Sequence, residues 1–267
     1  MFKRSSFWKI YFPLITMLSA IHHAQAAEIN IAAASNFAGP IKMIIADFER
    51  KTGHRANLTL GASGRFYAQI NHGAPFQIFL SADRLKPAAL EASGMGLSRF
   101  TYAIGRLALW SAQNNFIQGN SKILKEGTFR KIALASPKLA PYGKAAIDVL
   151  RALGLKEVLS PKFVRGENIA QTYQFVATGN ADLGFVSVSQ IMEKGILRAG
   201  SVWMIPQELH SPIRQDAILL KSAQHNQAAI AFMHYLKSAE ARDIIRDFGY
   251  LIPTASYQQQ GSDHGIF

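Results

Sequence analysis

Four short stretches set small hydroxyl, amide and glycine residues where an extended segment gives way to a helical one: Ser35-Asn36, Ala62-Ser63-Gly64, Tyr142-Gly143 and Asn168-Ile169. The chemistry such residues perform without charge is hydrogen-bond donation. A helix start carries N–H groups with no partner and a partial charge equivalent to roughly +0.5. Four starts brought together amount to about +2 with no lysine or arginine in place, which suits a dianion. Each stretch also has an ordinary use. Ser35 and Asn36 serve as N-caps, Gly61 and Gly64 permit a sharp turn, and the Ile169 side chain belongs to a core, leaving only its N–H for function. Rival chemistries are thinly supplied. There is no Gly-x-Ser-x-Gly elbow and no His-Glu-x-x-His pair. His54, His72, His210, His225, His234 and His264 are isolated and lack metal-ligand spacing. No catalytic residue, resident metal or cofactor is expected, and a serine hydrolase or metallohydrolase is the weaker reading.

The elements that must position these turns alternate between strand and helix, the pattern of α/β layers. Residues 29–33 read as a first strand. Ile41, Ile44, Ile45 and Phe48 then recur at i, i+3, i+4, i+7 along a helix that stops at Gly53. Strands follow over 56–60 and 76–80, with a short helix carrying Phe66, Tyr67 and Ile70 between them. The middle of the chain repeats this order. Strands read at 106–111, 131–135, 162–164 and 182–187, and helices open at Pro141-Tyr142-Gly143 and at Asn168. A strand at 217–221 and two closing helices finish the pattern. The economical arrangement is two α/β halves, with the chain crossing between them near 106–111 and 217–221. This predicts lobe 1 from 27–107 and 217–253, lobe 2 from 108–216, and a loose tail over 254–267.

The first residues predict export. Lys3, Arg4 and Lys9 precede an apolar run from Ile10 to Ile21, and Ala24-Gln25-Ala26 has the small-x-small form of a cleavage site. A cleavable signal peptide over 1–26 and a periplasmic destination are the expectation. The chain has no cysteine, so disulfides are excluded, and so is a lipid anchor on an N-terminal cysteine. The net charge of +12 falls to +9 (12 − 3) without the signal's three cations. Such an excess speeds anion encounter. The cations are scattered and no RNA motif interleaves them with aromatics, which argues against nucleic acid as a partner.

Ordered motifs give these features a family. Ala32-Ala33-Ala34-Ser35-Asn36-Phe37, Gly61-Ala62-Ser63-Gly64-Arg65 and the run from Gly73 to Asp83 resemble the periplasmic molybdate-binding proteins of ABC importers. The stretch from Arg99 to Gly105, Ala140-Pro141-Tyr142-Gly143, the stretch from Gly166 to Gln171 and Ala181-Asp182-Leu183-Gly184-Phe185-Val186 continue the match in order. The similarity runs from about Glu28 to Pro253. It implies a type II periplasmic-binding-protein fold, two α/β lobes joined by two crossing strands, working as a monomer. The implied ligand is a small tetrahedral oxyanion, molybdate or tungstate, delivered to an ABC permease. Sulfate, thiosulfate or phosphonate is the alternative cargo. Carried onto matching positions, the implied oxyanion contacts are Ser35 and Ser63 through hydroxyl and N–H, Asn36 through amide or backbone, and Tyr142 and Ile169 through backbone N–H. Two departures stand out. Gln77 replaces an aspartate common in relatives. Ser187 stands where one branch uses a tyrosine donor, so it reaches the anion through water or not at all.

Overall fold

The structure, a computed structural model, describes residues 27–253. The expected signal peptide and the expected loose tail lie outside the described residues. The first part of the chain forms β1 (Glu28–Ala34), α1 (Ala38–Thr52), β2 (Arg55–Gly61), α2 (Ser63–Asn71), β3 (Ile78–Leu80), α3 (Leu85–Ala92) and β4 (Gly96–Gly105). The middle forms β5 (Leu107–Ser111), α4 (Lys122–Glu126), β6 (Ile132–Ala135), α5 (Pro141–Ala152), α6 (Lys156–Leu159), β7 (Phe163–Gly166), α7 (Ile169–Ala177), β8 (Leu183–Ser187), α8 (Val188–Ile191), β9 (Met192–Glu193), β10 (Ile196–Leu197) and β11 (Ser201–Met204). The return consists of β12 (Ile213–Leu220), α9 (Gln227–Tyr235) and α10 (Ala239–Asp247).

Two five-stranded sheets result, in the orders β2-β1-β3-β12-β4 and β11-β5-β8-β6-β7. In the first, β1 pairs parallel with β2 and β3. In the second, β6 pairs parallel with β7 and β8. The chain leaves the first sheet at Arg106, between β4 and β5, and rejoins it at Ile213, which pairs with Gly105. The type II fold inferred from the motifs is the fold observed, with each sheet the centre of one lobe.

Both sheets are covered on both faces, which is why their strands read as apolar runs. Alternate residues of β1 go to opposite sides. Ile29, Ile31 and Ala33 pack with Ile41, Phe48, Phe232 and Ile245 of α1, α9 and α10, while Ala32 joins Phe66, Ile70 and Leu90 of α2 and α3. In the second lobe, Leu107 and Leu109 meet α5 through Ala146 and Leu150, and Ala108 and Trp110 face Val176 of α7. A fully buried Phe or Leu of this kind contributes about 1.5–3 kcal/mol. The cores hold each helix rigidly against its strand, so the strand-to-helix turns are fixed in space.

Several bounds differ from the sequence reading. The strand expected at 217–221 starts four residues earlier, at Ile213, because Gln215 and Asp216 are buried polar residues that interrupt the apolar signal. Asp216 is fully buried and held by the Arg99 guanidinium at 2.5 Å and the Thr101 hydroxyl at 2.6 Å. β4, α3 and β11 carried no periodic signal strong enough to read. α3 opens without a side-chain cap, and β4 is half-exposed over much of its length.

Candidate oxyanion site

The turns singled out in the sequence all lie at carboxyl ends of parallel strands. Ser35 follows β1, Ser63 opens α2 just beyond β2, Tyr142 lies in the first turn of α5 after β6, and Ile169 opens α7 after β7. In open α/β sheets this is the edge where helix starts and their unpartnered N–H groups collect. The two lobes present these edges to each other. Between them lies one small cavity lined by Ala34, Ser35, Asn36, Gly61, Ala62, Ser63, Ala82, Ala140, Pro141, Tyr142, Asn168 and Ile169. About 10 Å³ is open to the centre of a water-sized body. One water needs roughly 10–15 Å³ on that measure, so the cavity suits a single compact guest and not a sugar or peptide.

The cavity brings together Ser35, Asn36, Ser63, Tyr142 and Ile169, all nearly fully buried. Its lining contains no acid, lysine, arginine or histidine. What it offers is unengaged donors. The first N–H groups of α2, α5 and α7 have no carbonyl within their own helices. Those of Ser63, Tyr142 and Ile169 make no other hydrogen bond among the described residues. The Ser63 hydroxyl oxygen accepts from the Ala82 N–H at 2.9 Å, which leaves its proton to point elsewhere. The Ser35 hydroxyl has no partner among the described residues.

Of the two donors the sequence left open for Asn36, amide or backbone, the amide is engaged within the protein. Its two amide hydrogens go to Gln215 Oε1 and to the Tyr250 hydroxyl, each at 2.9 Å. Its backbone carbonyl accepts from Ser189 Oγ and from the Tyr250 hydroxyl, both at 2.7 Å. The donor it has left for a guest is its backbone N–H. Ser187 does not line the cavity. Its hydroxyl lies 2.8 Å from Ser189 Oγ, and its N–H is capped by Gln190 Oε1 at 3.0 Å. The Tyr142 side chain points into the protein, where burial pushes its hydroxyl well above the usual tyrosine range. Tyr102 and Tyr250 are shifted upward for the same reason. The polar groups around the cavity therefore stay neutral at any physiological pH.

The lobes also touch around the rim. The Gly64 N–H donates to Leu139 O across the gap at 2.9 Å. Arg65 faces Glu167 at 3.3 Å, both well exposed. A Cβ at Gly64 would come within 3.1 Å of Leu139 Cα and O, so glycine is what permits the approach. Sequence reasoning missed Gly64 in this role, along with Tyr102, Ser189, Gln215 and Tyr250 of the buried network. A second, wider groove of about 540 Å³ adjoins the cavity and shares Ala82, Ala140 and Pro141 with it. Its acids are already paired, Asp83 with Lys86 and Asp148 with Lys144, and its breadth does not match a single small ion.

This geometry defines a solute-binding protein of the two-lobed kind. The sequence profile of the bacterial extracellular solute-binding proteins matches residues 29–251, and the chain belongs to that family. Within it the chain stands among molybdate-binding members. The molybdate-binding protein ModA of Azotobacter vinelandii is 48% identical over 229 residues, covering 85% of this chain and 91% of the relative. ModA of Rhodobacter capsulatus is 47% identical over 230 residues, covering 85% and 90%. The solved structure of the Azotobacter vinelandii periplasmic molybdate-binding protein superposes with a TM-score of 0.82 at 38% identity, over 85% of this chain and all of that one. These relatives are binding proteins. Among the described residues no helix is long and apolar enough to cross a membrane.

Proposed function

We propose that this protein captures molybdate, or tungstate of the same shape and charge, in the cavity between its lobes, performs no chemistry on it, and presents it to an ABC permease. The reading assumes export through the signal peptide over 1–26, with the cysteine-free mature chain moving unanchored as a monomer in the periplasm. One observation carries it. A buried cavity lined by both lobes contains no charged side chain, yet it holds N–H and O–H donors that the protein leaves unused. Such groups are costly to bury unsatisfied, so their arrangement answers to a guest that accepts from all of them.

On this reading the first lobe grips the oxyanion through Ser35, Ser63 and the backbone of Asn36. Tyr142 and Ile169 complete the shell from the second lobe. A ligand that touches both lobes stabilises the closed form by its differential affinity for it. Each charge-assisted hydrogen bond contributes about 1.5–3 kcal/mol. Half a dozen of them exceed the roughly 8 kcal/mol of a micromolar complex, with a margin to offset desolvation.

Selectivity follows from size and from the shortage of acceptors. Sulfate's shorter bonds leave some donors under-satisfied, and a protonated phosphate brings a hydrogen with few oxygens to receive it. Calorimetric titration with molybdate, tungstate, sulfate and phosphate is the test. Tight binding of the first two and at least about 100-fold weaker binding of sulfate is expected, a gap of about 2.7 kcal/mol. Sulfate binding as tightly as molybdate overturns the cargo assignment, and it would point to a sulfate or thiosulfate carrier.

A further inference from the structure

Behind the cavity lies a buried chain of neutral polar groups that oxyanion capture alone does not explain, and Gln215 is its centre. Gln215 sits on β12 just after the chain re-enters the first lobe, and it is fully buried. Its Oε1 accepts from Asn36 Nδ2 at 2.9 Å and from the Tyr102 hydroxyl at 3.0 Å, both first-lobe groups. Its Nε2 donates to the Tyr142 hydroxyl of the second lobe at 3.2 Å.

The polarity of this amide follows from the network around it. The Tyr250 hydroxyl gives its hydrogen to the Asn36 backbone carbonyl, and in that arrangement it accepts from the Asn36 NH₂. The second hydrogen of that NH₂ then requires an oxygen on Gln215, which places the Gln215 NH₂ toward Tyr142. The Tyr142 ring occupies the joint between the two crossing segments. A Cβ at Gly105, at the end of β4, would overlap both the Tyr142 hydroxyl and the Gln215 amide. Glycine at 105 and glutamine at 215 together make a socket for a tyrosine tip from the opposite lobe.

We propose that Gln215 is a positioning residue for oxyanion capture: it seats the Tyr142 hydroxyl in the hinge while fixing Asn36, so the N–H groups of these two residues, one from each lobe, meet a single guest in register. The proposal rests on the function argued above. The Gln215–Tyr142 hydrogen bond bridges the lobes, so it forms on closure and is missing from the open form that first meets the anion. Its loss therefore speeds release and leaves capture unchanged.

Tyr142→Phe deletes the hydroxyl and keeps both ring and backbone N–H. Gln215→Leu removes the socket at similar volume. The molybdate dissociation rate is read by dilution and filter retention of radiolabelled anion, and Kd by calorimetry, their ratio giving the association rate. The melting temperature of the anion-free protein is recorded alongside. Tyr142→Phe is expected to release molybdate about tenfold faster, the worth of one buried neutral hydrogen bond, with association within about twofold and an unchanged anion-free melting temperature. The double variant should dissociate more slowly than the product of the two single effects, because both changes remove the Gln215–Tyr142 bond, although only Tyr142→Phe also removes the contact with the Tyr250 hydroxyl. An unchanged dissociation rate in Tyr142→Phe overturns the proposal, whether or not Gln215→Leu folds. So does multiplication of the two single effects in the double variant. Failure of the unaltered protein to bind molybdate sinks instead the functional reading beneath, and the proposal with it.

Discussion

Ser63 and Ser189 are both buried serines at the contact between the lobes, yet they are used in opposite ways. Ser63 Oγ accepts one hydrogen bond, from Ala82, and its proton remains unassigned. Ser189 Oγ is surrounded by the Asn36 carbonyl, the Ser187 hydroxyl and the Tyr250 hydroxyl, all within 3.0 Å. The same contrast separates the whole cavity from the network behind it. The cavity keeps N–H groups with no partner, while every side chain of the network is tied to at least one other. A binding surface is thus distinguished here by donors that make no bond within the protein, not by residue type or by charge.

The contrast is open to direct attack. If Ser63 serves the guest, Ser63→Ala should weaken molybdate binding about 10- to 100-fold, the loss of one hydrogen bond to a charged group. The anion-free melting temperature should stay close to that of the parent, since only the Ala82 N–H loses a partner. A variant that melts earlier but binds normally would move Ser63 into the structural class. A smaller effect is expected at the rim. Gly64→Ala puts a methyl 3.1 Å from the Leu139 backbone, which must give by a few tenths of an ångström. Overpacking of this kind costs about 1 kcal/mol at its mild end, or roughly fivefold in Kd. The anion-free, open protein should be unaffected, and small-angle scattering of the bound form should show a slightly wider particle. Smallest of all is Arg65→Gln. Both partners of its ion pair with Glu167 are exposed, so at most about 1 kcal/mol is lost at low salt, and nothing measurable at molar salt.

How much of this was legible in sequence depended on range. The turns bearing Ser35, Ser63, Tyr142 and Ile169 were readable because each is local: an apolar strand, a small residue, then a helical period. The fold class followed from the same alternation, and the ordered motifs from Ala32 to Val186 named the family that the comparisons bear out. The network was not readable. Asn36 and Gln215 are 179 positions apart, and Asn36 and Tyr250 are separated by 214. Nothing local marks a glutamine on a crossing strand as a bonding partner for both lobes. Asn36 shows the same limit of range. The sequence left its amide and its backbone N–H open as donors, and only the long-range partners reveal that the amide belongs to the hinge. Ser187, expected to reach the anion through water or not at all, is drawn by Ser189 and Gln190 into a local cap that the strand pattern does not announce.

The contact of Gly64 with Leu139 has one more consequence. Where main chain abuts main chain, the gauge of the enclosure is set by atoms that every amino acid shares, and trimming side chains cannot shorten it. Exchanging Ser35 or Ser63 alters how firmly an occupant is held. Gripping one of smaller diameter calls for a new loop length on one side of that abutment.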